Sequence, residues 1–462
     1  MRSRAAVKAV VETGSPRCPV VLLGVTWAAA MAIVWVADDE PTIALGLLLA
    51  IPVTLFALHI VVQFLTVPSS IASLVAIGVV LAVSINFRHR GFEDKSIDAQ
   101  VLLRLAGFAL FFVLSASVVV RRLLSGIKPE PLLWITLLAW LIVSSSYAAD
   151  PVQSFVAASS ALGGFLFLWS FCELYGRQSL VRVMTATCLV LSIGSIVIYF
   201  TNPSLGRLSD WNAAGQYEIT TRLQGLFGNP NGAGGSAAPS FLLALLLQRR
   251  RGAGIGHGVM LCVFAIVAIL SNNRMALIAS AGCLASIYIC QRNFGFRAIV
   301  VLLVGTVTTL AVYALGEVLF TGIARSGNSD EVLSLTGRTE IWRVALKLWS
   351  DQPILGLGYG SSPFALSESP DLFGAVGNTH NTYLEVLFSS GVLGLGLLIT
   401  SLAITLRRAF ARRRFSELGI VVFFLIYGLT EAVIFSVAGL TMLLFFSSVI
   451  LTFGPDRPSC RG

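Results

Sequence analysis

Three arginines and one histidine stand out in the chain for their type and setting. Arg222 opens the string RLQGLFGNPNGAGG, Arg274 lies in SNNRMA, Arg338 follows Gly337 in GRTEIW, and His380 sits in GNTHNTYLEVLF. Arginine presents a planar fork of donors that matches phosphate oxygens, whereas lysine offers only a point charge. Such forks suit a leaving group whose negative charge grows as its bond breaks. Histidine, with an ordinary pKa of about 6.5, can take a hydroxyl proton near neutral pH. Plainer readings compete with these: a solvated loop arginine for Arg222 and Arg338, a snorkelling interfacial side chain for Arg274, and helix entry or packing for His380.

The elements that must hold these residues are membrane helices. The chain has 462 residues, 56% of them hydrophobic and 12% charged, with a mean hydropathy of +0.84. A spanning helix needs about 20 mostly apolar residues, and about fourteen such stretches can be placed. They cover 20–37, 43–65, 71–87, 101–120, 132–147, 155–174 and 180–200, then 233–247, 255–270, 275–290 and 298–320, and finally 383–406, 418–438 and 440–453. This composition excludes a soluble enzyme, a disordered chain, a disulfide scaffold and a nucleic-acid binder. The expected fold is all-α, a polytopic membrane helix bundle of about 12 to 14 transmembrane helices, with a large extracytoplasmic loop.

The net charge of +9 is read first against the positive-inside rule. With the N-terminus in the cytoplasm, Arg121, Arg122, Lys128, Arg177, Arg249 to Arg251, Arg292, Arg297 and the Arg407 to Arg414 cluster fall inside. About two thirds of the basic residues lie on that side and a similar share of the acids on the other, among them Asp38, Asp39, Glu40, Asp330, Glu331 and Asp371. Both termini are then cytoplasmic, and the long loops around 201–231 and 321–380 face outward. The first span, with Trp35 and Ala37 before Asp38, lacks a small-x-small cleavage site and is expected to stay as an anchor. The seven cysteines (Cys18, Cys172, Cys188, Cys262, Cys283, Cys290 and Cys460) avoid the external loops and form no CxxC pair. Of the four histidines, His59 falls within a span, His89 in a short RHR turn and His257 on the cytoplasmic side; only His380 lies on an external loop directly above a span.

Within the second external loop, residues 337–350 read as an amphipathic helix. Ile341, Trp342, Ala345, Leu346, Leu348 and Trp349 form one side, and Thr339, Glu340, Arg343 and Lys347 the other, with Pro353 ending it. The tryptophans suit the headgroup boundary, so the helix is expected along the membrane surface, where a lipid-linked substrate presents its polar head. Gly356, Gly358 and Gly360 fit either a phosphate-cradling nest or a glycine-rich turn beside Pro353. Glu385 and Glu431 lie in apolar stretches, where an acid costs about 2.5 to 3.5 kcal/mol. Each is expected to face the interior and orient an arginine or His380, or else to form a structural ion pair.

At this point the chain resembles the O-antigen ligase and O-antigen polymerase family, membrane glycosyltransferases that move glycans off a polyprenyl diphosphate outside the cytoplasmic membrane. The resemblance runs over roughly residues 221–396. Arg222 matches the arginine of that family's Arg-x-x-Gly string, and Asn229, Pro230 and Asn231 complete its Asn-Pro-Asn. Arg274 matches the arginine that opens a span after a short polar turn, although the family more often has serine where this chain has Asn273. Arg338 matches Gly-Arg-x-x-x-Trp through Gly337 and Trp342, and His380 with Asn381 matches His-Asn-x-Tyr-Leu. The resemblance implies a metal-independent transferase without cofactors, in which Arg222, Arg274 and Arg338 hold the diphosphate and His380 stands near the reacting groups. Asn231, Asn381, Tyr383 and Glu385 are the expected supporting residues.

Two other classes compete. Asp38, Asp39 and Glu40 could hold a divalent cation through oxygen ligands, although topological bias alone also places acids outside. A lipid-linked glycan flippase or transporter would line a midplane path with its charges, whereas the charges here gather at one face. The expectation is therefore an extracytoplasmic-face enzyme of the bacterial inner membrane, with three regions: an N-terminal transmembrane bundle (1–200), a catalytic region (201–396) and C-terminal transmembrane helices (397–462). Its donor would be an undecaprenyl-diphosphate-linked glycan and its acceptor lipid A core or a second lipid-linked glycan. Membrane lipids are expected partners and nucleic acid is not.

Overall fold

A computed structural model describes residues 69–88, 94, 96–211, 217–247, 254–292, 338–370, 372, 376–433 and 439–455. The spans expected over 20–37, 43–65 and 298–320 lie outside the described residues, as do Asp38, Asp39, Glu40, His89, Arg249 to Arg251, Arg297, Asp330, Glu331, Gly337 and Asp371.

The described chain is an all-α membrane helix bundle. Its first helices are α1 (Ser69–Ser84), α2 (Ala99–Ser125), α3 (Pro129–Ser144), α4 (Pro151–Tyr175), α5 (Arg177–Thr201) and the short α6 (Pro203–Gly206). Then come α7 (Pro230–Leu247), α8 (Ile255–Leu270), α9 (Arg274–Cys290), α10 (Arg338–Trp349), α11 (Ser362–Ser367), α12 (Thr382–Ala411), α13 (Phe415–Tyr427) and α14 (Leu440–Phe453). Among the described residues, five helices are long and apolar enough to cross a membrane: α2, α3 with the turn that follows it, α4, α5 and α12.

Helix starts follow side chains that cap the free amides of the first turn. Asp98 accepts from Val101 N ahead of α2 at 2.9 Å, Asp150 from Gln153 N ahead of α4 at 3.1 Å, and Asn273 from Ala276 N ahead of α9 at 3.1 Å. The core joins α3, α4, α12 and α14 around Trp134, which is fully buried against Phe165, Phe445 and Phe446. Its indole Nε1 donates to Thr405 Oγ1 at 3.1 Å, so the one polar atom of the ring is satisfied.

Basic residues collect at one end of the bundle. Arg122 pairs with Glu173, Arg177 with Glu417, and Arg408 Nε lies 2.9 Å from Glu130 Oε1. Arg414 Nη1 donates to the carbonyls of Leu451, Thr452 and Gly454, taking up acceptors that the end of α14 leaves open. The helices α7, α9, α12 and α14 begin at the opposite end, and there the residues singled out in the sequence meet.

Three local departures from expectation shape that end. The segment after α6 forms an antiparallel hairpin, β1 (Arg207–Trp211) with β2 (Tyr217–Leu223), rich in β-branched residues on its second strand. The span expected over 418–438 stops as a helix at Tyr427, and Gly428 to Val433 is irregular. The span expected over 383–406 breaks at Gly391, whose φ of 63° and ψ of −167° interrupt α12.

The break in α12 exists because another backbone docks into it. A Cβ at Gly391 would lie 2.0 Å from Ile354 O. Leu357 N donates to Phe388 O at 2.8 Å, Gly358 N to Ser389 O at 2.9 Å and Val392 N to Pro353 O at 3.0 Å. The loop after α10 thus restores hydrogen bonds that the break removes, as a buried backbone requires. The Gly356 amide donates to Gln352 O at 2.9 Å. With these two donors spent inside the protein, Gly356 and Gly358 belong to a docking turn.

The amphipathic helix is present as α10, and its apolar face packs on protein. Val344 and Ala345 are buried with Leu366, Leu384 and Phe388, and Ile341, Trp342, Leu348 and Trp349 pack around them. Leu346, expected on the apolar side, is 45% exposed, because its helical angle points it away from the stripe centred on Ala345.

Candidate active site

The site is built where four chain segments end together: β2, the start of α7, the turn before α9, and the irregular stretch after α13 facing the starts of α10 and α12. Tyr199 of α5 donates from its hydroxyl to Thr221 O at 2.8 Å and so pins β2 beside Arg222. Arg222 Nε donates to Ser271 O at 3.2 Å, and its Nη2 donates to Asn231 Oδ1 at 3.1 Å. Asn231 lies in the first turn of α7, and its Nδ2 donates to Glu431 Oε1 at 2.8 Å. Glu431 Oε1 also accepts from Arg338 Nη2 at 2.8 Å, while Arg338 Nη1 donates to Thr430 O. Its other carboxylate oxygen, Oε2, faces His380 Nδ1 at 3.9 Å.

Arg274 opens α9 directly after Asn273, and that asparagine ties the turn to the same network. Asn273 Nδ2 donates to Tyr427 Oη at 2.9 Å and to Asn231 O at 3.2 Å, and Tyr427 Oη donates to Asn231 O at 2.7 Å. The Arg274 side chain itself has no hydrogen bond or ion pair among the described residues, so its guanidinium donors are uncommitted there. The structure therefore gathers Arg222, Asn231, Arg338 and His380 around one carboxylate and places the Arg274 turn against them.

The stretch after α13 is held by donors from outside it. Four successive carbonyls, of Gly428, Leu429, Thr430 and Glu431, accept from Thr382 N, Asn381 Nδ2, Arg338 Nη1 and Thr382 Oγ1 respectively. A helix end leaves these carbonyls without partners, and the first turn of α12 together with Arg338 supplies them. Asn381 has a second task, since its Oδ1 caps α12 by accepting from Tyr383 N and Leu384 N, each at 2.9 Å. The Tyr383 hydroxyl donates to Leu425 O at 2.9 Å. Both are frame residues that lock α12 to α13.

Glu385 is likewise part of the frame. It is buried, accepts from Ser362 Oγ at 2.5 Å and from Thr379 N at 2.8 Å, and so ties α11 and the residue before His380 to α12. Burial, with the Glu385 carboxylate beside it, holds the Tyr359 phenol well above the ordinary tyrosine range and keeps it protonated. Of the two acids in apolar stretches, Glu431 is the one that meets an arginine and the histidine.

His380 has a φ of 50°, a conformation uncommon for residues other than glycine. The surrounding bonds over-determine it: His380 N donates to Asn378 Oδ1 at 2.8 Å, and Trp342 Nε1 of α10 donates to Thr379 O at 2.8 Å. Such conformations persist where neighbours enforce them, and they cluster at functional sites. The residues that sequence reasoning did not single out are Tyr427, Thr382 and Thr430. A tyrosine at the end of an apolar run and two threonines carry no local signal of their partners.

Compared with known proteins, residues 257–399 match the family model described as O-antigen ligase. No curated protein matches the chain. The matched segment contains Arg274, Arg338, Glu385 and His380, and Arg222, Asn231 and Glu431 join the site from either side of it. Over residues 257–399 the chain is thus similar to the O-antigen ligase family.

Proposed function

We propose that the protein is a glycosyltransferase of the extracytoplasmic membrane face that moves a glycan from undecaprenyl diphosphate to an acceptor hydroxyl. The acceptor is lipid A core in a ligase and a second lipid-linked glycan in a polymerase. The observation that carries this reading is the convergence of Arg222, Arg338, His380 and the Arg274 turn around Glu431 at one end of the bundle. Three guanidinium charges against one carboxylate leave two positive charges, which matches the two ionised oxygens of a diphosphate diester.

In the reaction the acceptor oxygen bonds to the anomeric carbon as the bond from that carbon to the diphosphate oxygen breaks. In-line displacement inverts the anomeric centre. The electron pair of the broken bond stays on the diphosphate, where Arg222, Arg274 and Arg338 offset the growing charge. His380 takes the acceptor's hydroxyl proton. The arginines already supply the electrostatic stabilisation a divalent cation would, which supports a metal-independent step. We take residues 201–396 as the catalytic region, completed by Glu431 from the C-terminal helices.

The gathering of Arg122, Arg177, Arg408 and Arg414 at the end remote from the site supports a cytoplasmic location for that end and a periplasmic site, with both termini cytoplasmic. The test is the gel pattern of lipopolysaccharide and exopolysaccharide from a deletion strain, paired with transfer by purified protein from a lipid-linked donor. Loss of O-chains from the core with accumulation of lipid-linked polymer identifies a ligase, and core bearing a single repeat identifies a polymerase. Purified protein that moves donor across a vesicle membrane without transferring its glycan would replace this reading with a flippase.

A further inference from the structure

We propose that Glu431 is the positioning residue of the site, setting the tautomer and orientation of His380 while it holds Arg338 and Asn231 in place. This rests on the reading of His380 as the base and assigns that base its partner.

The position of Glu431 is tightly determined. Its carbonyl accepts from Thr382 Oγ1 at 2.6 Å, and Thr382 Oγ1 in turn accepts from Val433 N at 2.9 Å. Thr382 stands two residues beyond His380, so the acid and the imidazole are anchored to the same turn of chain. Within the carboxylate the two oxygens are differently engaged. Oε1 takes Arg338 Nη2 and Asn231 Nδ2, both at 2.8 Å, whereas Oε2 faces His380 Nδ1. That nitrogen is buried and has no hydrogen-bond partner among the described residues. At 3.9 Å the contact is longer than a hydrogen bond, in keeping with catalytic contacts that tighten only when substrate binds.

A carboxylate opposite Nδ1 favours the tautomer with the proton on Nδ1, which leaves the Nε2 lone pair as the base. Once Nε2 has taken the acceptor's proton, the carboxylate stabilises the imidazolium that forms. The other ionisable groups of this network are Arg338 on α10, Glu385 on α12, Tyr427 on α13, Arg222 on β2 and Arg274 on α9. Glu385 has both oxygens committed, to Ser362 and to Thr379 N, and fixes the backbone before His380.

The experiment reads the tautomer of the His380 ring by ring-nitrogen NMR at alkaline pH in full-length protein with labelled histidine, assigned against His380→Ala. It is run on wild type and on Glu431→Gln, which keeps the side-chain volume and an acceptor for Arg338. In wild type the ring proton should reside on Nδ1, loss of the carboxylate should shift the population toward the tautomer protonated on Nε2, and kcat for transfer at neutral pH should fall by at least about 100-fold with donor KM changed by less than about threefold. Glu431→Asp, which keeps the charge and shortens the reach, should fall in between, and it replaces the glutamine variant in both measurements if that one does not fold. Addition of Glu431→Gln to His380→Ala should lower kcat far less than Glu431→Gln does in the wild-type background. An unchanged His380 tautomer in Glu431→Gln overturns the proposal whether or not the protein transfers glycan. A tautomer change in Glu431→Gln together with a wild-type protein that transfers no glycan rejects the proposed function and leaves the pairing standing.

Discussion

Asn231 and Glu431 are joined by a 2.8 Å hydrogen bond, from Nδ2 to Oε1, across 200 residues of sequence. Neither residue lies in the segment that matches the O-antigen ligase family, yet their bond connects Arg222 to Arg338 and closes the site. Asn231→Ala would leave a carboxylate oxygen short of one donor and Arg222 short of an acceptor. It should therefore weaken donor binding more than it lowers kcat, by about 10-fold, as expected for loss of a charge-assisted hydrogen bond. Measured KM and kcat check this split, and a normal KM with a collapsed kcat would contradict it.

Arg274→Lys should lose most activity although the charge is kept, because a two-pronged phosphate contact depends on the guanidinium plane. Arg343, exposed on α10 beside Glu340, gives the comparison, since Arg343→Ala should change activity little. Turnover of both variants at matched protein levels decides the matter. A fully active lysine variant would make Arg274 an interfacial anchor.

Transfer by purified protein should continue in excess EDTA, while His380→Ala should fall by at least about 100-fold with donor binding kept. The alternative is a cation held by Asp38, Asp39 and Glu40. Activity lost in EDTA and restored by magnesium or manganese, together with an active His380→Ala protein, would establish that alternative.

Cysteines placed at positions 222, 338 and 380 on a cysteine-free background should react with an impermeant thiol reagent added to intact spheroplasts. Cysteines at 251 and 413 should react only after lysis. Labelling of position 251 from outside would reverse the membrane orientation.

Gly391→Ala should destabilise the protein strongly, since its φ of 63° alone costs about 1 to 3 kcal/mol for a side chain and the added Cβ would strike Ile354 O. Val392→Ala, on the same helix with an exposed side chain, is the control. Thermal inactivation half-lives of the two variants in detergent should differ by at least about fivefold.

Hydropathy and charge sidedness are local properties, and so the sequence determined the all-α membrane bundle, the gathering of basic residues at one end and most helix starts. Asn273 and Asn381 are legible as caps because their partners lie two or three residues away. Arg222, Arg274, Arg338 and His380 are legible because their strings are distinctive. The choice between Glu385 and Glu431 is not local. Both are acids in apolar stretches, and only the fold engages one with Ser362 and Thr379 and brings the other to Arg338, Asn231 and His380. Apolar periodicity also runs unbroken through 418–438, so it could not show that the helix stops at Tyr427. That stop depends on donors from Asn381, Thr382 and Arg338, which reach the freed carbonyls only once distant segments have packed. The break at Gly391 has the same origin: a glycine in an apolar run is ambiguous by itself, and the loop at Ile354 to Gly358 settles its conformation by supplying the missing hydrogen bonds.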